Sequence, residues 1–299
     1  MKCAYVTLVM LGDEYVKGAV ALAKSLIKSG TQNDLVCMVT HDVTQLDVLS
    51  NVFTKVVQVS YLYYKCGEMS TKRQQQLYTK WINFSFTKWR CFELTTYDRC
   101  VYLDADQVVV QNVDHLFLHE YAMCFNYNYN SLFKTFKNLH TINYEVQKFV
   151  LDNSDTLAFT GTLVYTPNLI IITTIVNLLN PFNTLLNAPV NKYNNGFDEI
   201  VLAQMFVSLK INVIQLSYMY VWNAGDYRNL NTHTTQPYII NFYGDQKPWF
   251  VSNFVYIDEY IWWFFYMLDV SKHKNHINNN KNQFSDNNNH DKNNNNNIC

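Results

Sequence analysis

Apolar positions in the first hundred residues switch repeatedly between unbroken runs and helical spacing. Cys3 to Val9 is such a run, and Tyr15 to Lys28 follows with Val16, Ala19, Val20, Ala23, Leu26 and Ile27 recurring at helical intervals. A buried strand that feeds an amphipathic helix has this pattern. Leu35 to Thr40 and Val56 to Val59 predict two further strands, with a short helix over Thr44 to Asn51 between them. Thr87 to Tyr97 predicts a helix with Trp89, Cys91, Phe92 and Leu94 at its apolar positions, delivering the chain to a strand at Arg99 to Leu103. Strands alternating with helices in this way open an α/β fold with a parallel sheet.

Farther along, Thr162 to Tyr165 and Ile239 to Tyr243 predict strands, and Asn168 to Leu179 and Phe197 to Leu209 predict helices. Tyr256 to Leu268, dense in Trp and Phe, predicts a closing helix. Asn126 to Asp155 is polar, aromatic and without a period, so it reads as a loop-rich excursion or a small helical insertion. From Ser271 to Cys299 the chain is almost entirely Asn, Lys, His and Asp. Such a segment cannot bury enough surface to offset its ordering entropy, which predicts one folded domain over 1–270 and a disordered tail over 271–299.

Charge and cysteine usage narrow the partners. With 23 basic and 24 acidic side chains the formal net charge is −1, so no global field favours nucleic acid or an anionic membrane surface. The seven cysteines are scattered without a CxxC pair, which favours buried reduced thiols over a zinc site or a disulfide framework. The apolar run after Lys2 resembles a signal-peptide core, but Gly12-Asp13-Glu14 ends it without a small-residue cleavage site. Leu169 to Leu179 falls short of the roughly 18 apolar residues a membrane span needs. These features predict a cytoplasmic protein with no membrane and no nucleic-acid partner.

The strongest chemical feature is Val101-Tyr102-Leu103-Asp104-Ala105-Asp106, two carboxylates released together from the end of an apolar strand. Ligands of open α/β sheets bind at the carboxyl ends of strands, and a carboxylate pair there can share a hard divalent cation that neutralises a diphosphate. A metal-dependent nucleotide-sugar transferase and an aspartate-nucleophile phosphatase of the haloacid dehalogenase type both place this triplet after a strand. The phosphatase usually carries it on the first strand, and here about three strands precede it. Gly244-Asp245-Gln246-Lys247-Pro248-Trp249 follows a predicted strand, pairing a glycine that admits a phosphate with a lysine that meets its charge. Lys88 lies where it can point back to the same strand ends.

At these residues the chain resembles glycosyltransferase family 8, in the branch of glycogenin and galactinol synthase, with the glycogenin-like proteins of insect large DNA viruses as its nearest counterparts. The resemblance rests on Tyr5-Val6-Thr7-Leu8, Gly12 to Ala19, Leu22 to Leu26, Thr87 through Asp106, Asn112 to Phe117, Gly161 to Pro167, Phe197-Asp198-Glu199 and Gly244 to Trp249. It implies a GT-A fold, a Rossmann-like sheet merged with an acceptor-binding half. It further implies Mn²⁺- or Mg²⁺-dependent transfer of a hexose from UDP-glucose or UDP-galactose with retention, in the host cytoplasm if the source is viral.

Residue by residue, the resemblance assigns Asp104 and Asp106 to the metal and Lys88, Lys247 and Gly244 to the donor, with Ala105 between the two ligands. Thr7, Leu8 and Tyr15 fall to the uridine pocket, and Asp198 to the transferred sugar, with Lys247 also at the leaving group. Departures are equally specific. Asn241 stands where the family has a third metal ligand, a His, and Phe159 where it has a sugar-contacting Asn. Asn195 replaces an Asp and Glu199 a Gln. A nucleotide-sugar or partner-binding module without turnover is the alternative those departures raise. The acceptor, a sugar, a polyol or a protein Tyr, is open, as is a homodimer. The tyrosines, Tyr127, Tyr129 and Tyr193 among them, read as core packing ahead of self-glucosylation.

Overall fold

The computed structural model describes residues 1–125, 136–225, 236–244, 246–250 and 257–270. The expected disordered tail, Tyr127, Tyr129 and Asp245 lie outside these described residues. The chain starts as its pattern dictates: β1 (Cys3–Val9), α1 (Val16–Lys28), β2 (Asp34–Val39), α2 (Leu46–Ser50), β3 (Lys55–Gln58) and α3 (Lys72–Tyr78). After a 3₁₀ segment come β4 (Arg99–Leu103), β5 (Gln107–Val109), β6 (Ala122–Cys124), β7 (Thr141–Ile142), α4 (Tyr144–Asn153) and β8 (Phe159–Tyr165). The rest is α5 (Leu169–Leu178), α6 (Phe197–Ser208), β9 (Val213–Gln215), β10 (Trp222–Asn223), β11 (Ile239–Asn241) and α7 (Ile257–Met267). The unpatterned stretch before Asp155 thus resolves, in its described part, toward the helical insertion.

The central sheet runs β3-β2-β1-β4-β8-β6-β9-β7, and β10-β11-β5 form a second, smaller one. From β3 to β4 all pairs are parallel, as strands joined by crossover helices must be. β8 enters antiparallel to β4, setting Thr162 opposite Leu103. Strand direction therefore changes beside the end of β4, where Asp104 and Asp106 emerge. Alternation along β1 sends Ala4, Val6 and Leu8 to one face and Cys3, Tyr5 and Val9 to the other. The first face meets Trp89, Phe92, Tyr165, Phe197 and Phe206; the second meets α1 through Val16, Ala19, Val20 and Leu26. Cys3, Cys37, Cys91, Cys100 and Cys124 are buried, Cys66 is half-buried, and none of these six forms a disulfide. Among the described residues no helix is long and apolar enough to cross a membrane.

One expected element is corrected. In place of an α-helix over Thr87 to Tyr97, the chain forms a 3₁₀ segment over Ile82–Glu93. Phe86, Trp89 and Phe92 repeat every third residue, and all three are fully buried. In a 3₁₀ turn side chains at i and i+3 line up, so this spacing stacks the aromatics in one row against the sheet. An α-helix would fan them apart.

Candidate active site

The turn after β4 is held on both sides by backbone. Asp104 N–H donates to Gly161 O of β8 at 2.9 Å, Gln107 N–H closes the turn onto Asp104 O at 3.1 Å, and Phe242 N–H donates to Asp106 O at 3.0 Å. Two glycines make room for it. A Cβ on Gly161 would sit 2.6 Å from Asp104 Oδ2 and 2.3 Å from the Phe159 ring. One on Gly18 of α1 would meet Ala105 O at 2.5 Å and Trp249 Cη2 at 2.8 Å. Both carboxylates consequently leave a turn that cannot shift without moving a strand or a helix.

Each carboxylate faces a lysine. Lys88, carried by the 3₁₀ segment, stands 3.2 Å from Asp104 Oδ1 and 3.7 Å from Asp198 Oδ2. Lys247 donates to Asp106 Oδ2 at 2.5 Å and to Phe242 O at 2.8 Å. Burial alone would lower the Lys88 pKa, but the carboxylates of Asp104, Asp198 and Glu199 outweigh it and raise it, so the ammonium stays charged. Withdrawal from water raises Asp104 against the opposing pull of Lys88. Glu199 is pushed up to about 8, first by burial and then by the neighbouring Asp198.

The remaining sequence-assigned residues surround this cluster. Tyr15 packs edge-on against Trp249 and lies under the Lys247 ammonium, 5.7 Å from its ring centroid. Thr7 and Leu8 lie on β1 just past the paired Val6 and Tyr102, alongside the end of β4. The Thr7 hydroxyl is buried without a hydrogen-bond partner. Gly244 has φ +98°, a backbone that favours glycine, and open space around it. Asn241 is buried on β11 opposite Gln107, one residue before the Phe242 N–H that ties to Asp106, and its amide donates to Asn223 Oδ1 at 3.2 Å. Tyr193 is core: its hydroxyl is buried and donates to Leu151 O at 2.6 Å, which removes it as a self-glucosylation acceptor.

Among the described residues no cluster of three or more His, Cys, Asp or Glu forms a metal cage. Asp104 and Asp106 at the turn after β4, and Asn241 on the β11 strand tied to that turn through Phe242, carry only oxygen donors for a cation. That set fits a hard divalent cation completed by water and phosphate oxygens. Sequence reasoning did not include Thr160 or Trp249 in the site, and it noted Glu199 only as a substitution. Thr160 accepts from Lys88 and donates to Glu199, both at 3.2 Å. No spacing in the chain marks that threonine, because its role depends on three elements meeting.

A sequence profile described as Glycosyl transferase family 8 matches residues 6–252. The chain belongs to glycosyl transferase family 8. This membership removes the phosphatase alternative. Inositol phosphorylceramide glucuronosyltransferase 1 of Arabidopsis thaliana is 35% identical over 118 residues, 39% of this chain and 20% of that protein. Human Glycogenin-2 is 36% identical over 120 residues, 38% of this chain and 22% of that protein. The chain spans about a fifth of the length of these two curated relatives. In fold, it is similar to the galactosyltransferase LgtC solved with donor and acceptor sugar analogues, with a TM-score of 0.59 at 11% identity over 91% of this chain and 99% of that one. The architecture is the GT-A fold of a family 8 glycosyltransferase.

Proposed function

We propose that this glycosyltransferase moves a hexose from UDP-glucose or UDP-galactose to an acceptor with retention of configuration, with Mn²⁺ held by Asp104, Asp106 and Asn241. The observation that carries this reading is the pair of carboxylate–lysine contacts at the end of β4, Lys88 with Asp104 and Lys247 with Asp106. The cation would supply positive charge to the departing diphosphate. Lys247 adds to that charge from the loop after β11, where its contact with Phe242 O keeps its reach short. Tyr15, Thr7 and Leu8 would line the uridine, with the orphaned Thr7 hydroxyl as a ready partner for it. Asp198, buried beside Lys88, would face the transferred sugar, and Gly244 would let backbone approach a phosphate.

The name of the Arabidopsis relative is that of a glucuronosyltransferase, so the donor panel includes UDP-glucuronate beside the neutral hexoses. Incubating the full chain with Mn²⁺ and a panel of UDP-sugars tests this reading. UDP release from UDP-glucose or UDP-galactose, and not from UDP-glucuronate, is expected. Release from UDP-glucuronate alone would overturn the donor assignment. UDP binding without release from any donor would favour the binding-module reading that Asn241 and Phe159 raise.

A further inference from the structure

α7 is turned opposite to an ordinary surface helix. Its two acids, Asp258 and Glu259, are buried, and Asp258 Oδ2 accepts the Gly225 N–H at 2.6 Å. Ile257, Tyr260, Phe264 and Met267, spaced by three and four residues, lie on the outward side, each more than half exposed. A helix that faces only water puts its charges outward and its apolar stripe inward. Here the inward stripe, Trp262 and Phe265, already packs with Trp249, Ala21 and Val108, so the outward one is a second apolar face. Phe250, also more than half exposed, borders it: Pro248 O, two residues earlier, accepts from the Trp263 indole at 3.2 Å.

The flank of that face is basic. Lys17, Lys24 and Lys28 recur on one line of α1, the line of Ala21, which packs in the same cluster as Trp262. Lys24 Nζ donates to Tyr266 O at 2.6 Å near the end of α7, and Lys17 and Lys28 are exposed. Glu14 and Asp269 are the exposed acids of these two segments. Past Val270 the sequence adds Lys272, Lys274 and Lys281 before its next acid, Asp286. The formal net charge of −1 predicts no membrane partner for the chain as a whole. Within a Debye length of about 10 Å, however, the nearby lysines set the field.

We propose that the outward face of α7, with Phe250 and the lysine row of α1, docks this chain reversibly on an anionic lipid surface. Aromatic rings settle at the boundary between acyl chains and headgroups, and lysine stems reach from it to phosphate oxygens. Among the described residues no helix is long and apolar enough to cross a bilayer, so the face lies on the surface. Both contributions are needed. A single exposed stripe buries little apolar area, and each lysine near an anionic surface adds about fivefold to the partition. The docking is independent of which donor the site at the end of β4 takes.

The test floats the full chain in a density gradient with vesicles of phosphatidylcholine alone, or of phosphatidylcholine and phosphatidylserine in equal parts. The parent should rise with the mixed vesicles, be released as salt is raised, and stay at the bottom with phosphatidylcholine alone. Phe264→Ser combined with Met267→Ser should lower the partition at least about tenfold. Lys17→Ser combined with Lys28→Ser should lower it at least about fivefold. All four positions are exposed, so the melting curves should match the parent. If the first pair melts early, the lysine pair and Met267→Ser alone carry the comparison. A parent that stays at the bottom with both vesicles, rises equally with both, or rises equally in every variant overturns the proposal. Sedimentation equilibrium covers a second copy as occupant: a parent dimer split by the Phe264 and Met267 substitutions, with no flotation, makes the face a contact between chains and overturns the lipid assignment.

Discussion

The Lys247 ammonium rests 2.5 Å from Asp106 Oδ2, joining the loop after β11 to the turn after β4 across 141 positions of sequence. Its second acceptor is Phe242 O, and Phe242 N–H is bonded to Asp106 O, so one lysine closes a ring that ties the two segments together. Lys88 does the same on the other side of Ala105, joining Asp104 to Asp198. A site neutralised by its own lysines can stay folded without ligand. A cation and a diphosphate would then exchange partners with those lysines rather than assemble the site from nothing.

Replacing Asp104 and Asp106 together by Asn nearly preserves shape and removes both anionic oxygens. Mn²⁺-dependent UDP binding is expected to weaken by at least about tenfold, the equivalent of about 1.4 kcal/mol. The melting curve should keep a single cooperative transition. Unchanged UDP affinity in the double variant would show that the diphosphate lies elsewhere.

Asn241 offers a neutral oxygen where imidazole is a stronger ligand for Mn²⁺. Asn241→His should tighten Mn²⁺ binding, read by titration of the bound ion's paramagnetic signal. Equal or weaker affinity would mean that β11 contributes no ligand and that carboxylates and water suffice.

Gly18→Ala places a methyl group 2.5 Å from Ala105 O, a backbone atom that cannot rotate away. Overpacking of this kind costs about 1–3 kcal/mol. A lowered melting midpoint together with weaker UDP binding is expected, since the turn between Asp104 and Asp106 must shift. A variant as stable as the parent would show that α1 can slide without disturbing the turn.

Glu199 makes stability depend on pH. Its carboxyl is raised to about 8 by burial and by Asp198, with Asp104 adding to the rise and Lys88 and the Gly196 N–H opposing it. Between the ordinary carboxylate range and pH 8 the folded chain holds a proton that the unfolded chain has lost, so this group's contribution falls as pH rises. Glu199→Gln has no such proton. Melts of parent and variant at pH 5 and pH 8 should show the variant gaining on the parent at the higher pH. A difference that stays constant across the two pH values would place Glu199 in a more solvated setting.

Val270 is buried against the α1 side of the sheet, so the folded unit includes it. Removing 271–299 should leave stability within about 0.5 kcal/mol. Removing Ile261 to Val270 as well takes away the buried Trp262 and Phe265 and should abolish the cooperative melt. A large loss from the shorter truncation would extend the folded domain past Val270.

Local pattern was enough for most of the elements. An unbroken apolar run has to be withdrawn from water on both faces, and helical spacing has to turn one face inward, so β1, α1, β2, β4, α5, α6 and α7 were legible in the chain with shifts of a residue or two at their ends. The Asp-X-Asp triplet was legible for the same reason, since its strand precedes it directly. The 3₁₀ segment was not, because a row of aromatics every third residue gains over an α-helix only when a sheet is present to receive it. Nor could sequence spacing pair Lys88 with Asp104 and Thr160, or Lys247 with Asp106. Those partners come from different strands and loops, and their distances exist only after β8 has entered antiparallel to β4 and β11 has closed over the turn. Sequence alone determined which side chains carry the charge, and the tertiary structure decided which carboxylate each lysine neutralises, because electrostatic pairing depends on separation in space.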